Sequence, residues 1–231
     1  MIITITNQKG GSGKTSTAVL LTLALAGAGN KVLALDTDPQ GGLTAFLHPD
    51  EYKGPGLFDT VMGADIKPVN INRGGLMFDL IPAEYRLDKV VYTLSEHSLD
   101  IFKGVQYDYV IIDTPPTVQG ISRAAAAIAD KIIIPADISR ATIGPTLYTL
   151  STLKEIKKTG AVYIIGKKPD ETKRGFLADT TREFITALGD SFAGNIPRSV
   201  MMQKIITDTR QKWTPSRYKW QLQPILQAVK L

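Results

Sequence analysis

The run Gly10-Gly-Ser-Gly-Lys-Thr15, with Lys9 before it and Ser16 after it, gathers glycines, cations and hydroxyls in one short stretch. Glycines let a backbone turn until its N–H groups converge on phosphate oxygens. A helix that starts there adds the partial positive charge of its N-terminus. Lys14 can reach the outer phosphates of a nucleotide, and the Thr15 hydroxyl can ligate Mg²⁺. Gly10, Gly11, Ser12, Gly13, Lys14, Thr15 and Ser16 are therefore the candidate nucleotide-binding residues. The Gly13-Lys-Thr end fits a P-loop, whereas Gln8 stands where the leading glycine of the usual pattern would be.

Such a site needs carboxylates, and two further segments carry them. Asp113 closes the apolar run Asp108-Tyr-Val-Ile-Ile-Asp113, where a carboxylate can hold Mg²⁺ through water. Asp36 and Asp38 follow a second apolar run in Leu35-Asp-Thr-Asp-Pro-Gln-Gly, and one of them could orient an attacking water. Any single aspartate of this kind is commonly a turn or capping residue. Three at strand ends beside a P-loop favour function, because ligands sit at the carboxyl ends of parallel strands. Thr15, Asp36 and Asp113 are the candidate metal ligands, and Lys14 and Asp38 candidate catalytic groups.

The elements that must position these residues are legible as short apolar runs between helical patterns. Strands are predicted at Ile2–Ile5, Val32–Asp36, Met77–Pro82, Asp108–Asp113, Lys131–Pro135 and Ala161–Ile165, with a short one ending at Ile196. Helices are predicted at Thr15–Ala28, Ile121–Ala129, Ile143–Lys158 and Phe176–Leu188. Near-continuous apolar strands between helices imply an α/β domain with a mostly parallel sheet covered on both faces. Glu51 to Gly75, rich in Gly and Pro, predicts loops and a short helix. The 231 residues suit one domain, with a basic, helical C-terminal part from about residue 199.

Composition excludes other chemistries. There is no cysteine, hence no disulfide scaffold, thiolate zinc site or cysteine nucleophile. Two histidines, His48 and His97, are too few for a polyhistidine metal site. The longest nearly apolar run, Ala18 to Ala28, is too short to span a bilayer. The chain opens as a strand without a basic leader, which points to a cytoplasmic protein. Residues 1–140 hold 12 Lys/Arg against 15 Asp/Glu, and residues 141–231 hold 15 against 7. A basic C-terminal part points to a polyanion, either nucleic acid or an acidic membrane.

Asn7-Gln-Lys-Gly-Gly-Ser-Gly-Lys-Thr, Asp36-Thr-Asp-Pro-Gln-Gly and Asp113-Thr-Pro-Pro, in that order, resemble the ParA/MinD group of deviant Walker A ATPases. The second and third segments look more like ParA/Soj than MinD. The resemblance runs from residue 2 to about residue 200. It implies an ATP- and Mg²⁺-dependent hydrolase that works as a face-to-face homodimer and is stimulated by a ParB-like partner. Lys9 would be the extra lysine that crosses to the partner's ATP, as an arginine finger does. Lys14 would bind phosphates in cis, Asp38 would position the hydrolytic water with Asp36 in support, and Asp113 to Gly120 would sense the γ-phosphate. Pro197, in Ile196-Pro-Arg-Ser-Val, resembles a segment near the nucleotide base. The segment that precedes the first strand in larger plasmid ParA proteins, a helix-turn-helix, has no counterpart here, so sequence-specific repression is not expected.

The resemblance leaves two polyanions. A ParA-type protein coats nucleoid DNA without sequence preference and segregates plasmids or chromosomes; a MinD-type protein uses the membrane through a basic amphipathic tail. Tyr218, Leu222, Ile225, Leu226 and Val229 stand at helical spacing, but so many apolar anchors suit docking on the core. Lys173, Arg174, Arg198, Lys204 and Arg210 are the DNA-binding candidates, with Arg182 a further member. The DNA-segregation reading is favoured, and a nucleoid-associated location follows from it.

Overall fold

A computed structural model describes residues 1–48, 54–137, 140–156, 162–167, 176–196 and 226–227. In chain order the elements are β1 (Ile2–Ile5), α1 (Lys14–Gly27), β2 (Val32–Asp36), α2 (Gly42–Leu47), α3 (Leu57–Val61), β3 (Val69–Arg73) and β4 (Leu76–Ile81). Two 3₁₀ turns, Tyr85–Lys89 and Asp100–Gly104, lead to β5 (Tyr109–Asp113). Then come α4 (Ile121–Ile128), β6 (Lys131–Asp137), α5 (Arg140–Ile156), β7 (Val162–Lys167), α6 (Phe176–Leu188) and β8 (Phe192–Ile196).

Among the described residues the strands form one sheet in the order β3-β4-β2-β5-β1-β6-β7-β8. Every pairing is parallel except that of β3 with β4. Alternation along the strands splits the core between the two faces. Ala34 and Ile111 join Ile3 and Ile5 under α1, against Val19, Leu20 and Leu23. Leu33, Leu35, Val110 and Ile112 face the other way, onto Ile121, Ala124 and Ile128 of α4 and onto Leu87, Leu99 and Phe102. Each such buried aliphatic side chain contributes about 1.5–3 kcal/mol over exposure. A third cluster joins β6 to α5 and α6 through Ile132, Ile134, Leu150, Leu153, Phe184 and Leu188.

The α/β fold with a mostly parallel, doubly covered sheet agrees with the sequence expectation. One strand was not foreseen. β3 lies in the stretch expected to hold loops and a short helix; α3 is that helix. Val69-Asn-Ile-Asn-Arg alternates polar residues with only Ile71 and Arg73 buried, the pattern of a sheet edge rather than of the continuous apolar interior strands. Helix α5 begins three residues before the expected Ile143, carrying Pro145 inside its N-terminal part. No helix among the described residues is long and apolar enough to cross a membrane.

Candidate nucleotide site

Strands β2, β5 and β1 lie side by side, so their carboxyl ends deliver three loops to one place. The parallel register sets Ile5 beside Asp113 and Asp113 beside Asp36. Beyond Ile5 the glycine loop runs into α1. Gly13, at the helix N-cap, has φ of 97°, a left-handed conformation that favours glycine. The loop is braced from below. Asn7 donates from Nδ2 to the Pro135 carbonyl (2.8 Å), and its Oδ1 accepts from the Lys9 N–H (3.0 Å). Gln8 Nε2 donates to the Pro145 carbonyl (3.1 Å), tying the loop to α5.

Lys14 opens α1 and is buried, with 7% of its surface exposed. Its ammonium makes one long hydrogen bond, 3.4 Å, to the Lys9 carbonyl. Burial lowers its pKa, while the charges of Asp113 and Asp38 hold it up. A buried cation with so little local pairing has donors left for an anion. Gly10 and Gly11 are exposed, Ser12 is buried with an unpartnered Oγ, and Thr15 and Ser16 are half-buried.

Asp36 and Asp113 are both fully buried yet differently furnished. Asp36 Oδ2 accepts from Thr44 N (2.8 Å) and Thr44 Oγ1 (2.7 Å), and Oδ1 accepts from Asp38 N (3.2 Å). Burial pushes its pKa up to about 6 against the pull of these donors. Neither oxygen of Asp113 accepts an aligned hydrogen bond. Burial, then the neighbouring Asp36, raise the Asp113 pKa well above the usual carboxylate range; Thr15 and Lys14 pull the other way. A buried carboxylate left without donors is costly unless a cation completes it. The half-buried Asp38 sits in the loop between β2 and α2, its Oδ1 accepting from Gln40 N (3.0 Å) and its carbonyl from Gly41 N (2.8 Å).

After β5, residues 114–120 form a second loop over the site. Thr114 Oγ1 donates to the Ile5 carbonyl (3.0 Å). At the far end Gly120 has φ of 52°, and a Cβ there would lie 2.1 Å from the Val91 carbonyl oxygen. Ile121 N also donates to that oxygen (2.8 Å). Lys9 is half-buried and, with Gln8, residues 116–119, Pro145 and Tyr148, lines a cleft of about 370 Å³ beside this loop.

The structure thus brings Lys9, Gly10 to Ser16, Asp36, Asp38 and Asp113 together. Pro197, Lys173, Arg174, Arg198, Lys204 and Arg210 lie outside the described residues; Arg182 is exposed on α6. Thr44 and Gly42 were not foreseen. The available signal was a hydroxyl residue eight positions beyond Asp36 and at the start of a helix.

A glycine loop between a strand and a buried helix, with strand-end carboxylates in register beside it, defines a P-loop nucleotide-binding domain of the doubly wound class. A family model described as an AAA domain matches residues 1–164. The chain belongs to that family, in its ParA/Soj group of partition ATPases. It is 31% identical over 176 residues to the sporulation initiation inhibitor protein Soj of Bacillus subtilis, covering 68% of this chain and 66% of Soj. It is 33% identical over 172 residues to maintenance of carboxysome distribution protein A of Gloeothece citriformis, covering 69% and 65%. The matched stretch thus spans just under two thirds of these relatives' length. A putative plasmid partition protein from Borrelia burgdorferi bound to AMPPNP has the same fold, with a TM-score of 0.80 at 22% identity over 98% of each chain.

Proposed function

We propose that the chain hydrolyses ATP with Mg²⁺ and uses the cycle to move DNA, as a ParA-type partition ATPase. The observation that carries the nucleotide assignment is the buried pair of unmet needs: a cation, Lys14, with one long hydrogen bond, and a carboxylate, Asp113, with none. The donor set fits Mg²⁺, which takes one or two carboxylates together with phosphate oxygens and water. Thr15 and Asp113 would hold it, with Asp36 adding negative charge from the neighbouring strand. Bound Mg²⁺ supplies charge neutralisation to the phosphates.

In this reading Gly10, Gly11, Ser12, Gly13 and Ser16 present backbone and hydroxyl donors to the phosphate chain. Lys14 places its ammonium on the outer phosphates. Asp38 orients the attacking water and accepts its proton. Lys9, at the rim of the cleft, serves the nucleotide of a second copy in a two-fold dimer, where an isologous contact lets each lysine reach across. Pro197 packs near the base. The dimer unites two sets of basic residues, Lys173, Arg174, Arg198, Lys204 and Arg210, on duplex DNA, and a ParB-like protein accelerates hydrolysis. Relatives whose names concern plasmids and carboxysomes leave plasmid, chromosome or protein assembly as cargo.

One observation supports DNA over a membrane. Leu226, in the tail that a membrane reading would insert into lipid, packs against the core under α1. The test is a salt titration of duplex DNA binding with ATP. Affinity should fall with a log–log slope of about −0.9 per phosphate neutralised, and alike for all sequences. Lys14→Ala should abolish ATP binding and DNA binding together. Sedimentation with anionic liposomes without DNA binding would replace this reading by a MinD-type one.

A further inference from the structure

We propose that Thr44 is a positioning residue for hydrolysis, a role that rests on the ATPase reading above. Its hydroxyl is used twice. It donates to Asp36 Oδ2 (2.7 Å) and accepts from Ala83 N (3.0 Å), while the Thr44 N–H donates to the same Asp36 oxygen (2.8 Å). Asp36 ends β2 and Ala83 follows the neighbouring strand β4, so Thr44 fastens two strand ends to the start of α2.

That fastening closes the loop that carries Asp38. Asp38 N donates to the other Asp36 oxygen, and Thr37 is held to the Asp113 carbonyl by its N–H (3.0 Å) and its hydroxyl (2.6 Å). The carboxylate of Asp38 therefore projects from a loop pinned at both ends, and Thr44 is the second pin. The same helix start abuts the first turn of α1: a Cβ on Gly42 would stand 3.3 Å from Thr15 Cγ2 and 3.5 Å from Thr15 Oγ1. Thr44 thus sets two groups that it does not touch, the water-orienting Asp38 and the metal-ligating Thr15. Chemistry of this kind depends strongly on small displacements of its groups.

Thr44→Val keeps the side-chain shape but removes a donor from Asp36 and leaves Ala83 N unpaired; Thr44→Ser keeps both bonds. Steady-state hydrolysis, ATP titration and thermal melting are to be measured on the full chain. Thr44→Val should lower kcat about 10- to 100-fold, as loss of a supporting partner commonly does, with ATP affinity within about threefold. Thr44→Ser should recover kcat to within about threefold. Thr44→Ala, which removes both side-chain hydrogen bonds without placing a methyl against Asp36, should also lower kcat, and it decides the matter if Thr44→Val does not fold. Wild-type kcat in folded Thr44→Val, or in Thr44→Ala where the first variant is unfolded, overturns the proposal. A melting temperature that falls without any change of kcat makes Thr44 purely structural and overturns it too. A wild-type chain that hydrolyses no ATP overturns the ATPase reading and the Thr44 role with it.

Discussion

Two loops leave neighbouring strands in register, one after Asp36 and one after Asp113, and they are built on opposite plans. The first is bonded throughout: Thr44 and Asp38 meet the Asp36 carboxylate, and Gln40 and Gly41 fold back on Asp38. The second is fixed at its ends, by Thr114 on Ile5 and by Gly120 and Ile121 on Val91, and leaves its leading carboxylate bare. Both carboxylates are equally buried, so burial does not distinguish them. What differs is the supply of donors. A buried carboxylate with donors is stabilised in the free protein, whereas one without them costs the free protein stability.

The sharpest way to break the second loop is at its far anchor. Gly120→Ala combines a left-handed backbone with a Cβ 2.1 Å from a carbonyl oxygen, so it should cost roughly 3 kcal/mol of stability in a denaturant melt. An effect below about 1 kcal/mol would show that the anchor yields easily.

Next in size is Asp36→Ala. It strands the Thr44 and Asp38 donors and should destabilise the nucleotide-free protein by about 1–3 kcal/mol. Asp113→Asn should do the reverse, raising stability by about 1 kcal/mol, because a neutral amide avoids a burial cost that Thr15 and Lys14 only partly offset. Opposite signs in one set of melts would sharpen the contrast; equal signs would remove it.

The smallest effect is that of pH on Asp36. Burial raises its pKa to about 6, so the folded state holds the proton more tightly than the unfolded chain does. The group therefore favours the folded state at low pH and costs stability as pH rises through about 6. The melting temperature of nucleotide-free wild type, relative to Asp36→Asn, should rise on going from about pH 7 to about pH 5. A constant difference across that range would contradict the assignment.

Much of this was visible in the residues. Continuous apolar runs marked the interior strands, since a strand buried on both faces has no polar side to show. Gly13, Lys14 and Thr15 were visible because a phosphate loop needs those types in that order. β3 was not, because its two Asn residues alternate with Val69, Ile71 and Arg73 and carry only an edge pattern. The contrast between Asp36 and Asp113 was not visible either. Both are aspartates at strand ends, and the difference lies in Thr44, whose approach depends on how α2 turns back. Thr44 offers no periodic signal, as its contacts are set by the register of β2 against β4 and not by neighbours in the chain.

The central claim is that Asp113, bare in the free protein, answers to the metal that accompanies the nucleotide. Calorimetric titration of ATP with and without Mg²⁺, on wild type and on Asp113→Asn, tests it directly. Wild type should bind ATP at least about tenfold more tightly with Mg²⁺, and Asp113→Asn should lose that gain while keeping its Mg²⁺-free affinity. An unchanged Mg²⁺ dependence in Asp113→Asn would contradict the account.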